Sequence, residues 1–496
     1  MDESVAGRLR EALVGADFRY DTVVEVLGGT AHAALSRNET LPGLRATRGG
    51  SPVGTLTRLW LLQAPVASSA AEVALPGLVE DLCEAGVLER SGDEVRALLD
   101  VRPYASDDTD LWVLSDLTPG LDGRGVRVQP DHVLGISPAA TSLAQLTVRE
   151  HVGSALDLGT GCGVQALHLA GHVDRVVATD VNARALELTR FNLALNEVDG
   201  VEVRAGSLFD PVADDRFDLV VTNPPFVISP ATAQPLVYRD SGLPGDQVVE
   251  EIVRGVPAHL RPGGVAQVLC NWVVNRDQPW EERLAGWSSG SDLWVVQREV
   301  LDLPGYVELW LKDAGVHPST GGEHGAYVAR YDAWLGWLED QGAEAIGFGW
   351  INLRATDEQP VLRLEEWRYE VEQPLGPEVA AHFDRVEVLR GLVDDDLLAA
   401  RPITRSDVRQ ETVGAPGAED PETVVLRQQR GMRRARQADT VESALVGACD
   451  GELSVGQILD ALAQLLGLDP RDLRASRLTA VRELLAEGFL ELSVIA

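Results

Sequence analysis

Seven runs rich in β-branched residues alternate with helical patterns between about Val126 and Trp367: ALDLGT, RVVATDV, VEVRAG, FDLVVTN, VAQVLCNW, DLWVVQREV and AIGFGWINLRA. Parallel strands cannot be joined by tight hairpins, so each pair needs a crossover, and a helix is the usual one. The alternation therefore predicts an α/β fold: a doubly wound, mostly parallel sheet with helices on both faces.

The flanks read differently. Leu56, Leu59, Trp60 and Leu62 form an apolar face at helical spacing, Ala71 to Ala85 forms another, and Gly86 stops it before the strand-like VLERSGDEVRALLDV. Helices followed by a short hairpin suggest a winged-helix shape. The last sixty residues repeat that grammar, with helical patterns at Val441 to Ala448, Val455 to Leu466 and Leu478 to Glu487, ending in LLAEGFLEL as the first module ends in LCEAGVLER. From Val408 to Val425 the chain is acidic, Pro- and Gly-containing and without clear period, which reads as a loop or linker. The basic stretch RQQRGMRRARQ follows, with Arg427, Arg430, Arg433, Arg434 and Arg436. The expected organisation is a helical, winged-helix-like domain at 1–125, a catalytic α/β domain at 126–405 with a helical insertion near 303–342, a linker and basic stretch at 406–438, and a helical module at 439–496.

Charge narrows the function classes. The chain has 77 acidic and 43 basic residues, a formal net charge of -34, so its average surface repels phosphate backbones. Generic nucleic-acid binding is disfavoured, although a local basic patch is not. The four cysteines, Cys83, Cys162, Cys270 and Cys449, are far apart and form no CxxC pair, which argues against a disulfide framework or a zinc site. The N-terminus is acidic where a secretory signal is basic, and no run approaches the ~18 apolar residues of a membrane span. A cytoplasmic protein without membrane partners is the expectation.

Three motifs carry chemistry. Asp157-Leu-Gly159-Thr160-Gly161-Cys-Gly163 lies between a strand and the helix VQALHLA, where glycines let the backbone approach a ligand and a helix N-terminus offers free N–H groups. Its spacing differs from GxGxxG, and no run resembles GxxxxGKS, so dinucleotide and nucleoside-triphosphate sites fit less well. Asp180, which ends RVVATDV 23 residues further on, can accept hydrogen bonds from both hydroxyls of a ribose. Capping the following helix, VNARALELTRFN, would occupy the same carboxylate. Asn223-Pro224-Pro225-Phe226 ends FDLVVT. Two prolines force the chain out of the sheet in a rigid turn. The turn presents the Asn223 side-chain oxygen and the Pro224 carbonyl to a planar NH2 group, with Phe226 as a stacking face.

With these residues the chain resembles a class I S-adenosylmethionine-dependent methyltransferase over roughly Asp131 to Trp272, and within that class the HemK-like glutamine-N5 methyltransferases. The resemblance implies a seven-stranded Rossmann-like sheet and S-adenosylmethionine as cofactor. It implies that Asp157, Gly159, Thr160, Gly161 and Gly163 meet the methionine end, and that Asp180 with Val181 and Asn182 meets the ribose and adenine. Ser207 and Leu208, in GSLFDP, would border the adenine. Many relatives carry aspartate at the Ser207 position, so Ser207 departs from the pattern. Asn223, next to the cofactor, would orient the acceptor with Pro224, Pro225 and Phe226. No metal is implied, and His151, His168 and His172 read as surface or packing residues.

The NPPF signature is shared by glutamine, guanine-N2 and adenine-N6 methyltransferases, so it specifies the acceptor nitrogen better than the acceptor molecule. A Gly-rich turn at Gly242 to Asp246 before the next helix resembles the release-factor branch, and the negative charge suits a basic protein loop. A protein glutamine is the first expectation for the partner. Ribosomal RNA, docked through the terminal modules and Arg427 to Arg436, is the second, and a small-molecule amine is the third. Trp310, Trp334 and Trp337, with a glycine turn at Gly321 and Gly322, suit either packing or an acceptor cleft.

Overall fold

The computed structural model describes residues 3–492 apart from 107–108, 124–128, 130, 226, 231–241, 321 and 417–420. Phe226 and Gly321 thus lie outside the described residues. The chain divides into two compact units, residues 1–144 with 150–368, and residues 145–149 with 369–496.

In the first unit all seven β-branched runs are strands of one sheet: β1 (Val152–Leu158), β2 (Val173–Asp180), β3 (Val201–Ala205), β4 (Phe217–Thr222), β5 (Leu260–Asn275), β6 (Ser291–Asp302) and β7 (Ala343–Ala355). An eighth, β8 (Leu362–Glu366), joins beside β6, and the order is β3-β2-β1-β4-β5-β7-β6-β8. Strands β3 to β5 run parallel across the centre, whereas β7 is antiparallel to both β5 and β6. Leu156, Val177, Val220, Val268 and Ile351 are wholly buried, as expected for strands covered on both faces. Helices α1 (Val164–Leu169), α2 (Ala183–Leu195) and α3 (Gln247–Gly255) lie between the parallel strands, and α4 (Trp280–Ala285) links β5 to β6. Between β6 and β7 stand α5 (Leu303–Asp313) and α6 (His324–Asp340). Strand order reverses between β1 and β4, which opens a crevice beyond their carboxyl ends.

Before the sheet come helices from Glu3–Gly15 onward and a small sheet of Val66–Ala67, Glu94–Ala97 and Leu88–Ser91, with Glu94–Ala97 central. Gly86 takes a left-handed conformation (φ +72°) between the helix Val79–Glu84 and the first hairpin strand. A second hairpin, Leu99–Ser106 with Thr109–Asp116, docks on α2 by an arrangement the sequence pattern hides. The side-chain amide of Asn196 accepts from Trp112 N at 2.9 Å and donates to Trp112 O at 2.7 Å. Asn192 does the same for Leu114 N and O, at 2.7 and 2.8 Å. Four residues of helix rise about 6 Å, and two residues of strand about 7 Å, so two stacked carboxamides can stand in for a neighbouring strand.

In the second unit, the helices Thr440–Ala448, Val455–Leu466 and Pro470–Ala486 enclose a core that includes Leu397, Leu445, Leu459, Leu484 and Phe489. The last helix begins eight residues before the expected Leu478, because Asp469 caps it by accepting from Arg471 N and Asp472 N. Gly488, at φ +75°, ends it as Gly86 ends its counterpart, but strand Leu490–Leu492 pairs with Pro402–Thr404 from before the helices. The segment expected to be a linker is a correction: Val408–Val413, Thr423–Gln428 and Ala435–Ala438 form a three-stranded antiparallel sheet. Val408–Val413 is exposed along nearly its whole length, with Gln410 and Thr412 on one face and Arg409 and Glu411 on the other, so no apolar alternation reveals it.

Among the described residues no helix is long and apolar enough to cross a membrane. The hairpin dock yields a first prediction. Asn196→Ala leaves the buried N–H and C=O of Trp112 without partners, and urea denaturation is expected to register a loss of about 2–4 kcal/mol. A loss below about 0.5 kcal/mol would contradict the strand-mimic role.

Candidate active site

The crevice at the strand ends holds a cavity of about 860 Å³. Its walls come from the turn after β1, the end of β2, the turn after β3, the end of β4, one face of α3 and the segment 131–140. Every residue expected to bind cofactor lines it, namely Asp157, Gly159, Thr160, Gly161, Asp180, Val181, Asn182, Ser207, Leu208 and Asn223, except Gly163.

The turn after β1 is held from several directions. Gly159 N and Thr160 N both donate to Thr179 O at 2.9 Å, tying the turn to β2. Gly163 sits at φ +87°, and a Cβ there would come within 3.1 Å of Thr189 Cγ2, so this position requires glycine for packing. Asp157 is buried, and its Oδ2 accepts from Thr160 Oγ1 at 2.6 Å and Ala166 N at 3.0 Å. The carboxylate therefore braces the turn against the start of α1. Burial raises its pKa to about 7, against the two hydrogen bonds that favour the charged form.

Asp180 divides its oxygens between Gly161 N at 2.9 Å and Asn182 N at 2.8 Å. Burial raises its pKa too, with the backbone hydrogen bonds opposing. The competition between capping and ligand binding does not arise, because Asn182 caps α2 by accepting from Arg184 N at 3.0 Å. The Asn182 amide also donates to Asp131 O at 2.9 Å, so its side chain is committed to structure at the cavity edge. Val181 is 70% exposed on the cavity wall, an apolar face free for a planar ring. Beyond β3, Gly206 N donates to Asp180 O at 3.0 Å, and Leu208 adopts φ +44°. A left-handed leucine costs roughly 1–2 kcal/mol, and such strain gathers at functional turns.

At the other end, β4 delivers Asn223, Pro224 and Pro225 to the cavity. Thr222 Oγ1 donates to Leu158 O at 2.7 Å, which locks the last residue of β4 to β1. Asn223 Oδ1 is buried and has no hydrogen-bond partner among the described residues. A buried acceptor left unpaired costs about 1–3 kcal/mol, so the fold tolerates an open valence at the wall of this cavity. Gly242 and Leu243 of the expected Gly-rich turn also line it. Asp246 of that turn instead accepts from Val273 N and forms a bidentate pair with Arg283.

Sequence reasoning missed the wall formed by His132, Val133, Gly135 and Ala140, and Glu251 and Ile252 of α3. Asp116 at the end of the second hairpin holds that wall: it accepts from Val133 N at 2.8 Å and pairs with Arg184 of α2. Asn192 adds a second link, since its amide also donates to Cys162 O inside the glycine turn at 2.8 Å. Cys162 is buried and its thiol is pushed up to about 12, so it is a packing group and not a nucleophile. His168 is buried with its ring nitrogen 2.9 Å from Tyr104 Oη, and His151 is an exposed partner of Asp174, as expected of packing and surface residues.

The family described as methyltransferase small domain matches residues 136–291, the stretch that contains the cavity-forming turns. Domains of unknown function match residues 15–98 (DUF7059) and 380–492 (DUF7782). Ribosomal protein uL3 glutamine methyltransferase from Bradyrhizobium diazoefficiens is 35% identical over 144 residues, covering 27% of this chain and 44% of that protein. Release factor glutamine methyltransferase from Xylella fastidiosa is 37% identical over 126 residues, 23% and 46% of the two chains. Ribosomal RNA small subunit methyltransferase C from Erwinia tasmaniensis is 30% identical over 194 residues, 37% and 49%. The match spans less than half the length of each relative. Residues 136–291 are thus the part of the chain that is similar to methyltransferases, in agreement with the expected class I fold and S-adenosylmethionine cofactor. Over this stretch the chain is similar both to protein glutamine methyltransferases and to a ribosomal RNA methyltransferase.

The raised pKa of Asp157 generates a pH prediction. In an unfolded chain this group titrates near 4, whereas in the fold it titrates at about 7, so the folded state binds the extra proton in between. Its stabilising contribution is full below the unfolded value and is lost as pH rises through the folded one. Asp157→Asn keeps the acceptor for Thr160 and Ala166 but removes the titration. Urea unfolding at pH 5.5 to 8.5 is expected to show the variant gaining on the parent as pH rises, by on the order of a few kcal/mol, with a plateau above about pH 8. A difference independent of pH would contradict this reading.

Proposed function

We propose that this protein is an S-adenosylmethionine-dependent N-methyltransferase whose acceptor is the side-chain amide of a protein glutamine. The observation that carries this reading is the buried, unpartnered Asn223 Oδ1 on the cavity wall, followed by two prolines that fix it. An oxygen so placed is suited to an N–H donor on a planar nitrogen, and the Pro224 carbonyl offers a second acceptor beside it.

The residues present fit the cofactor. Gly159 to Gly163, braced by Asp157, suit its methionine end, while Asp180 has lone pairs left for ribose hydroxyls beyond its two backbone hydrogen bonds. Exposed Val181, with Ser207 and Leu208, suits the adenine. When bound, S-adenosylmethionine supplies an electrophilic methyl group on a sulfonium. An amide nitrogen is a poor nucleophile because its lone pair is delocalised into the carbonyl. Two fixed acceptors on its N–H groups orient it and favour the positive charge that grows on nitrogen as the new bond forms.

Charge favours protein over RNA as the acceptor. Most of the basic stretch is neutralised inside its own unit: Arg427 pairs with Glu411, Arg433 with Glu370, and Arg436 with Glu442, Glu483 and Glu487, while Arg434 is buried, which leaves Arg430 as an exposed cation. A phosphate-binding strip needs unpaired, accessible cations. The second reading, a base amino group in RNA, rests on the same Asn223 geometry and on the likeness to a ribosomal RNA methyltransferase. Four separate cysteines suit a reducing cytoplasm.

Transfer of tritiated methyl from S-adenosylmethionine into lysate of a strain lacking this protein, divided into protein, RNA and small-molecule fractions, tests the proposal. Label is expected in protein, reduced at least about a hundredfold by Asn223→Ala, with methylglutamine found by mass spectrometry. Label confined to RNA or to small molecules would overturn the acceptor, and label that survives Asn223→Ala would overturn the role of Asn223.

A further inference from the structure

The proposed reaction depends on where Asn223 stands, and its turn is fixed at both ends. Upstream, Thr222 is locked into the ladder between β1 and β5. Downstream, Val227 and Ile228 are buried at 1% and 0% exposure in a cluster built from the insertion, with Tyr306, Trp310 and Leu311 of α5 and Trp334 and Leu338 of α6. Two polar contacts reach the backbone through that cluster. Ile228 N donates to Tyr306 Oη at 2.7 Å, and Trp334 Nε1 donates to Ile228 O at 2.9 Å. One residue on, Ser229 O accepts from Gly245 N at 3.0 Å.

Both backbone hydrogen-bonding groups of the buried Ile228 are therefore satisfied by side chains of two helices in a connection between later strands. Residues 303–340, which supply this grip, lie outside the three matched ranges. Asn271 of β5 donates to the same Tyr306 oxygen at 3.4 Å, which ties the phenol to the sheet as well. Of the two readings of Trp310 and Trp334, packing and an acceptor cleft, the structure supports packing, since both are core residues, at 4% and 1% exposure.

We propose that Tyr306 and Trp334 are positioning residues for methyl transfer: by clamping Ile228 they set the Asn223-Pro224-Pro225 turn at the distance from the cofactor turn that the acceptor amide requires. This inference rests on the proposed function. It makes the insertion α5–α6 the part of the chain that aligns the acceptor, without contact to the cofactor.

The test uses the full-length protein with Tyr306→Phe and Trp334→Phe, each of which keeps an aromatic ring and removes one hydrogen bond. Four quantities are read: S-adenosylhomocysteine affinity by calorimetry, melting temperature, amide hydrogen exchange across 227–229, and tritiated-methyl transfer into lysate protein as a function of lysate concentration. The expected result is affinity within about twofold of the parent, exchange at 227–229 faster by about tenfold, and a maximal transfer rate lower by about tenfold with little change in half-saturating lysate. A merely structural role predicts instead that cofactor affinity and melting temperature fall together with the rate. That outcome, or an unchanged rate in both variants, would overturn the proposal. A parent enzyme that labels nothing would overturn the proposed function instead. The clamp would then be judged by exchange alone, and unchanged protection of 227–229 in both variants would refute it.

Discussion

Two carboxylates, Asp157 buried and Asp180 half-buried, hold the turn on which the site is built. Asp157 ties Thr160 to the start of α1, and Asp180 ties Gly161 to the start of α2. Each spends hydrogen bonds on backbone or neighbouring hydroxyl groups, and each has its pKa raised by burial. A glycine-containing turn is intrinsically loose, since glycine gains little from any single conformation. Pinning it from two strands converts that looseness into a fixed row of backbone groups facing the cavity. The cost is a carboxyl, Asp157, that titrates near neutrality.

The pinning extends further than the sheet. Asn192 joins the carbonyl of Cys162 in the turn to Leu114 of the second hairpin, and Asp116 of that hairpin holds the opposite cavity wall through Val133. The hairpin is thus part of the site's frame although none of its residues from 99 to 114 lines the cavity. At the acceptor end the insertion plays a similar part through Tyr306, Trp334 and Ile228. Both ends of the cavity are braced by segments outside the parallel core.

The parallel sheet and the cavity-lining turns were legible in the sequence because each leaves a local signal. Buried strands need β-branched runs, a close turn needs glycine, and a rigid exit from β4 needs the Asn223-Pro224-Pro225 sequence. What was not legible is long-range satisfaction of backbone groups. Asn192 and Asn196 look like ordinary polar positions in α2 and at its C-terminal cap, and only the fold shows that they stand in for a missing strand. Asp180 and Asn182 could not be assigned separate roles until the cap on α2 was seen to belong to Asn182. The strands at 408–438 were hidden because their first strand, Val408–Val413, is exposed and carries no apolar alternation, and the arginines there were hidden as structural because their acidic partners stand on a neighbouring strand or on the last helix.

The central claim is that the braced turn after β1, together with Asp180, forms the cofactor cradle. Calorimetric titration of S-adenosylhomocysteine into the parent and into Asp180→Ala tests it most directly. The account predicts binding in the micromolar range, weakened by at least about thirtyfold in the variant. Absence of binding to the parent at about millimolar ligand, or equal affinity in both proteins, would contradict it.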